Sequence, residues 1–166
     1  MPISSAQRER LSMGVSIFEG LAPYEIDIIA EALYPRSLKA GAEIIREGSF
    51  SECMFIILSG KVRVEKDINR TPRPVWYLNA GDCFGEMSLF DRLPRSASVY
   101  ADTDVDILLM YRVEMEEMFE RHPHIAYRVM IQLFRTVSIR MRQVLAQLGP
   151  PTPQAPAPAP AASAKS

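Results

Sequence analysis

The spacing of hydrophobic residues divides the chain into three parts, and the first part is helical. Its apolar residues recur at steps of three or four, which is the period of an amphipathic helix. They are Leu11, Val15, Phe18 and Leu21. The segment YEIDIIAEAL extends the pattern as far as Pro35, a residue that ends helices. We therefore predict an N-terminal helical segment over residues 1–35.

Between residues 36 and 110 the pattern changes to short apolar runs that are typical of strands. The runs are AEIIREG, CMFIILSG, KVRVEK, PVWYLNAGD, RSASVYA and DVDILLMY. Gly, Pro, Asn or Asp interrupts them about every ten residues. Glycines at the breaks, where a positive φ is tolerated, are Gly41, Gly48, Gly60 and Gly81. Many short, evenly spaced strands predict a barrel, a sandwich or a jelly-roll-like β-roll.

Residues 111–148 return to the helical pattern. RVEMEEMFERHP predicts one helix that stops before Pro123, and a long helix follows over 124–148. Apolar residues alternate along it at steps of four and three, as in a coiled coil. They are Met130, Phe134, Val137, Met141, Val144 and Leu148, with Val129 and Leu133 on a neighbouring face. Either the whole stripe packs on the core or the helix forms a homodimer, and we favour the dimer because the helix is long.

The last segment, residues 149–166, consists mainly of Pro and Ala and has no large apolar side chain. Such a composition cannot bury enough surface to offset the entropy of ordering. We predict a disordered tail, with a linker or docking ligand as the alternative role.

Charge and cysteine content narrow the function classes. The net charge of −1 gives no global attraction to nucleic acid or membrane, and the chain has neither a bilayer-spanning apolar run nor a signal-like N-terminus. Cys53 and Cys83 match no metal-ligand spacing, and His122 and His124 complete no metal site. Two reduced thiols in a cytoplasmic protein are the favoured interpretation, and one stapling disulfide is the alternative.

The segment FGEMSLFDRLPRSASV combines one carboxylate, one guanidinium and several small residues. A surface salt bridge between Glu86 and Arg95 would contribute little. A ligand site is favoured because Gly85 precedes a helical turn whose free N–H groups could face an anion. Arg95 could pair two phosphate oxygens, and beside it Ser96 and Ala97 leave their backbone amides open to close approach.

The carboxylate of Glu86 limits the kind of ligand. It would repel a phosphate unless the ligand also carried donors, and a ribose hydroxyl is such a donor. One arginine with a few amides suits a single negative charge, as in a phosphodiester. Neither a GxxxxGK[ST] nor a GxGxxG pattern occurs, so a triphosphate is not indicated.

Residues 84–99, which we call the cassette, resemble the phosphate-binding cassette of cyclic nucleotide-binding domains, with the approximate pattern F-G-E-[aliphatic]-[small]-L…P-R-x-A-[ST]-V. The resemblance extends to REGSFSECMFIILSGKVRV and LNAGDCFGE, and covers about residues 13–145. The family includes the bacterial catabolite activator protein and protein kinase A regulatory subunits. It implies a mainly β fold, a β-roll with N-terminal helices and two C-terminal helices.

The resemblance also implies roles for single residues. Glu86 would bond the ribose 2′-hydroxyl and Arg95 would pair the cyclic phosphate. Backbone amides would complete the phosphate cradle after Gly85. They belong to Met87, Ser88, Ser96 and Ala97.

The remaining implied contacts concern the sugar and the base. Val64 and Val75 fall on strands that line the ligand in relatives. Arg140, beside Met141, falls near the base-capping position, where it would either stack on the base or remain a solvated helix charge. A hydroxyl at Ser96 can favour guanine, yet some adenine-selective members also carry serine there, so cAMP is expected over cGMP without being settled.

We expect a cyclic nucleotide sensor, needing no cofactor, that signals through its last helix to a dimer interface or an effector protein. The alternative is a ligand-free interaction module of the same fold. The cassette has no nucleophile–base pair, so an enzyme is not expected. The long helix runs into the Pro/Ala segment and no recognition helix follows, so we expect no direct DNA readout. We also expect no membrane partner, because the chain has no bilayer-spanning apolar run.

Overall fold

The computed structural model describes residues 3–147. Its helices are α1 (Ser5–Gly14), α2 (Pro23–Glu31), α3 (Met87–Asp91), α4 (Arg112–Arg121) and α5 (Pro123–Gln147), with a 3-10 turn at Ser16–Phe18. Its strands are β1 (Tyr34–Leu38), β2 (Glu43–Ile45), β3 (Cys53–Ser59), β4 (Lys61–Ile68), β5 (Thr71–Asn79), β6 (Cys83–Phe84), β7 (Ser98–Ala101) and β8 (Val105–Tyr111).

The strands form two four-stranded antiparallel sheets, with orders β1-β8-β3-β6 and β2-β7-β4-β5. The four glycines at the predicted breaks all have positive φ. Gly60 shows why glycine is needed at such a break, because an added Cβ would lie 2.2 Å from the carbonyl oxygen of Asp104. The predicted mainly β fold with flanking helices and a long last helix is confirmed.

Strand β3 shows how the layers are arranged. Met54 and Ile56 point into a core shared with the helices. Phe55 and Ile57, on the alternate face, point into a second core between the two sheets. The first sheet is therefore the middle layer, and its central strand is apolar on both faces, which explains the unbroken run CMFIIL.

The N-terminal helical prediction is only partly right. Helix α1 stops at Gly14, because Ser16 then donates its backbone N–H to the Gly81 carbonyl at 3.1 Å. The strand pattern also begins earlier than expected, with β1 starting at Tyr34. Pro35 is accommodated because β1 lies at the edge of its sheet.

Helix α5 begins one residue before the predicted start and packs on the helical core. Its buried residues in that core are Ile125, Val129 and Leu133, as the neighbouring-face prediction required. The predicted disordered tail and Leu148 of the predicted seam lie outside the described residues. No helix within residues 3–147 is long and apolar enough to cross a membrane.

Candidate functional site

A cavity of about 410 Å³ opens between the second sheet, the cassette and helix α5. Its apolar wall consists of Ile45, Val64, Trp76, Leu78, Phe84 and Val99. Besides Phe84 and Val99, the cassette contributes residues 85–88, Asp91 and residues 93–97, and α5 contributes Arg140 and Val144. Nearly every residue predicted for the site therefore lines this cavity, although Val64 and Arg140 are far apart in the sequence.

Arg95 is the buried cation of this cavity, with only 4% of its surface exposed. Its Nη1 donates to the Gly85 carbonyl at 2.7 Å, and its Nη2 donates to Ser51 Oγ at 3.1 Å and to the Cys53 carbonyl. Its Nε is buried without a hydrogen-bond partner. Burial lowers the pKa of this guanidinium below its usual value, although an arginine remains protonated at neutral pH.

Gly85 is required by the position of Arg95. Its φ is +75°, and a Cβ added there would lie 2.6 Å from Arg95 Nη1. A larger residue would therefore both strain the backbone and displace the guanidinium. The glycine in the sequence FGE follows from this close approach.

Glu86 is also buried, but it faces α5 and not Arg95. Its Oε1 lies 3.5 Å from Arg140 Nη1, and Arg140 Nη2 donates to the Cys83 carbonyl at 2.7 Å. No salt bridge joins Glu86 to Arg95, nor any carboxylate to Arg95, within residues 3–147. The surface salt bridge considered from the sequence is thus not formed, and Arg140 is a paired charge at the cavity instead of a solvated one.

The small residues of the cassette differ in exposure. Ser88 is buried, and its hydroxyl donates to the carbonyls of Ser51 and Gly85, both at 3.3 Å. Met87 and Ser96 are exposed at the cavity mouth, and Ala97 is half-buried. The predicted helical turn is present as α3, but the strand predicted from the run RSASVYA starts only at Ser98.

Val75 is the predicted site residue that does not line the cavity. Val64 pairs with Trp76, and Glu65 pairs with Pro74, so the register shifts and Val75 is left over as a bulge. Val75 is 42% exposed, whereas Trp76 takes the cavity position. The residue two positions after Trp76, Leu78, also lines the cavity, and this period of two is the signal that could have identified the tryptophan.

Within residues 3–147, no cysteine or histidine lines the cavity. Cys53 and Cys83 are both free and buried, in agreement with the favoured interpretation of two reduced thiols, and the alternative disulfide is not formed. Burial raises the pKa of the Cys83 thiol to about 12, which keeps it unreactive. Within residues 3–147 no cluster of three or more His, Cys, Asp or Glu side chains could hold a metal ion.

The chain is similar in sequence to several known proteins. Residues 35–122 match the family model described as "Cyclic nucleotide-binding domain". The chain is 32% identical over 123 residues to the cyclic AMP receptor protein of Thermus thermophilus, covering 74% of this chain and 57% of the relative. It is 38% identical over 117 residues to a cyclic nucleotide-gated potassium channel of Rhizobium etli, covering 70% of this chain and 32% of the channel.

A solved cyclic nucleotide-binding domain from Methylobacillus flagellatus has the same fold. The TM-score is 0.79, with 24% identity, covering 86% of this chain and 84% of that one. The chain thus spans little more than half of one curated relative and about a third of the other.

Proposed function

The chain belongs to the cyclic nucleotide-binding domain family, and from that membership we propose that it is a sensor that binds cAMP in preference to cGMP. The observation that carries the proposal is Arg95. Arg95 lines the cavity, and within residues 3–147 its buried guanidinium lacks a carboxylate partner and its Nε lacks a hydrogen-bond partner. A buried cation of this kind favours an anionic ligand, because the ligand would supply the missing countercharge.

The rest of the cavity supports a nucleotide as that ligand. Glu86 offers a carboxylate acceptor for ribose hydroxyls, and the apolar wall around Val64 and Trp76 suits a planar base. The volume falls in the range of roughly 300–1,000 Å³ that is usual for small-molecule sites. We assign the phosphate to Arg95, the sugar to Glu86 and the base to the apolar wall.

The proposed preference for adenine over guanine follows from the cavity wall. The wall beside Val64, Trp76 and Val99 is apolar and offers no dedicated partner to the guanine amine. Ser96 has a hydroxyl exposed at the cavity that could accept a hydrogen bond from this amine. The similarity to a cyclic AMP receptor protein favours the same choice, so cAMP is the proposed ligand.

Signalling is proposed to run through helix α5. Arg140 holds Glu86, the residue that we assign to the ribose. A bound sugar would compete for that carboxylate and thereby shift the equilibrium position of α5. The shift would reach either a second copy of the chain or an unidentified effector protein.

A homodimer through α5 is the proposed assembly. The face away from the core exposes large apolar side chains, which are Met130, Phe134, Met141 and Leu145. A second copy could cover them by helix pairing. Sedimentation of the wild type and of Phe134→Glu tests this, and a wild-type monomer at micromolar concentration would contradict it.

We also propose that the protein is not an enzyme and that it is cytoplasmic. The relatives named above are a receptor and a channel, so we propose a binding role and no catalysis. The free, buried thiols of Cys53 and Cys83 fit a reducing compartment, which we take to be the cytoplasm.

Calorimetry and thermal shift with cAMP, cGMP and 5′-AMP test the proposed function. We expect saturable binding of cAMP, weaker binding of cGMP and a melting temperature that rises with cAMP concentration, because ligand binding stabilises the folded state. Stability indifferent to all three nucleotides would instead support the ligand-free interaction module.

A further inference from the structure

The second half of the cassette is held in place by the loop between β2 and β3, residues 46–52. The Arg95 N–H donates to the Ser49 carbonyl, and the Gly48 N–H donates to the Arg95 carbonyl, both at 2.8 Å. The Glu47 N–H donates to Ser98 Oγ at 2.9 Å. This β2–β3 loop therefore sets where the backbone on either side of Ser96 lies.

Lys66, on strand β4, adds a charged contact to the same backbone. Its Nζ donates to the Ser96 carbonyl at 2.7 Å and pairs with the Glu47 carboxylate. The other carboxylate oxygen of Glu47 accepts the Asp67 N–H at 3.0 Å. The hydrogen bond from Lys66 lowers the pKa of Glu47 below its usual value, so this carboxylate stays charged. The ammonium of Lys66 lies between the carboxylate and the Ser96 carbonyl.

This contact acts on a peptide group beside the cavity. The carbonyl of Ser96 and the N–H of Ala97 belong to one planar peptide group. An ammonium bonded to the carbonyl oxygen fixes that plane and polarises the group, which makes the N–H a stronger donor. Ala97 lines the cavity, and within residues 3–147 its N–H donates to no other group.

We propose that Lys66, held by Glu47, is a positioning residue that orients and strengthens the Ala97 amide for the anionic part of the ligand. Lys66 does not itself line the cavity. The inference rests on the proposed function, since it concerns how the same site holds a phosphate.

A plain surface salt bridge is the competing explanation, because the side chains of Lys66 and Glu47 are 43% and 28% exposed. Lys61 provides a matched control for it. It lies on the same strand, is 40% exposed and pairs with Asp102 at 3.7 Å, but its other contact is the Tyr77 ring and not the cassette.

The test measures cAMP and adenosine binding by calorimetry for Lys66→Met, Lys66→Arg and Lys61→Met, together with the Ala97 amide signal by ¹⁵N NMR. We expect Lys66→Met to weaken cAMP about tenfold and leave adenosine, which has no phosphate, unchanged, on the scale of a lost charge-assisted hydrogen bond. Lys66→Arg should rescue affinity to within about threefold, since it keeps a charged donor. The unliganded Ala97 signal should move in Lys66→Met and stay in place in Lys61→Met.

Two results would overturn the inference alone, with wild-type cAMP binding intact. One is an equal affinity of Lys66→Met and Lys61→Met for cAMP, and the other is an equal loss for cAMP and adenosine. A wild type that does not bind cAMP would instead overturn the proposed function, and this inference with it. If Lys66→Met does not fold, Glu47→Gln replaces it, and a cAMP affinity equal to that of Lys61→Met would again refute the role of Lys66.

Discussion

Two buried charged residues, Glu25 and Arg95, differ in whether an oppositely charged side chain pairs with them. Glu25, on α2, is 1% exposed and its carboxylate accepts the Ala22 N–H at 2.6 Å and pairs with Arg128 at 2.7 Å. Arg95 is almost as buried, but its partners are neutral oxygens and its Nε has none. Among the residues that the structure describes, Glu25 thus has a countercharge and Arg95 has none.

The difference separates a structural ion pair from a binding residue. Arg128 comes from α5, so the Glu25 pair ties the N-terminal helices to the last helix. A buried charge whose countercharge is missing is costly to the folded state. That cost is tolerated at Arg95 because, in the proposed function, the ligand removes it. Mutations can test whether the two residues really divide stability and binding in this way.

The largest expected effect is that of Arg95→Ala on binding. It should weaken cAMP by at least about 2 kcal/mol, close to thirtyfold, because a charge-assisted phosphate contact is lost. Its free energy of unfolding should change little, since the cost of burying the charge is lost together with its hydrogen bonds. Calorimetry and urea unfolding measure both. Arg36→Ala, an exposed arginine on β1, is the control, and unchanged cAMP affinity in Arg95→Ala would contradict the assignment.

Glu25→Ala should show the reverse behaviour. We expect a loss of about 2 kcal/mol in the free energy of unfolding, below the usual cost of breaking a buried pair because the Arg128 side chain is 43% exposed and water can solvate it. The dissociation constant for cAMP should not change. Urea unfolding checks this, with Glu31→Ala at the exposed end of α2 as the control. Equal stability of the two variants would show that the buried pair contributes nothing.

The smallest expected effect is that of Glu86→Gln on binding, and it tests whether Glu86 is part of a structural ion pair or a ligand-binding residue. It is a buried carboxylate with a cation, like Glu25, but its pair with Arg140 is longer, at 3.5 Å. If Glu86 bonds the ribose, Glu86→Gln should weaken cAMP by about 1 kcal/mol, roughly fivefold, and should not weaken 2′-deoxy-cAMP. Competition binding with both nucleotides measures the difference. An equal loss for both would assign Glu86 to structure alone.

Much of the fold is encoded locally. The apolar runs marked most of the strands, and the run CMFIIL required a strand buried on both faces. The short edge strand β1 was missed because Pro35 is both a helix terminator and tolerated at a sheet edge. The end of α1 was missed because Ser16 bonds Gly81, which is distant in sequence.

The site was predictable where the cassette itself supplies the residues. Gly85, Glu86 and Arg95 were found because their spacing and residue types are chemically unusual. The groups that hold Arg95, on Ser51 and Cys53, were not found, because they come from a loop and strand brought close only by folding. Val75 was misplaced for a different reason, since a bulge reverses the alternation of β5 and local patterning does not reveal it.

Strand β3 has a further consequence for how the molecule opens. Cys53 holds Arg95 through its carbonyl, while the next residue, Met54, is buried against the helices. The floor of the ligand site and the helical layer therefore share one strand. Neither can unfold locally without breaking the same backbone ladder, so the amide protons of β3 belong to the last unit to exchange with solvent.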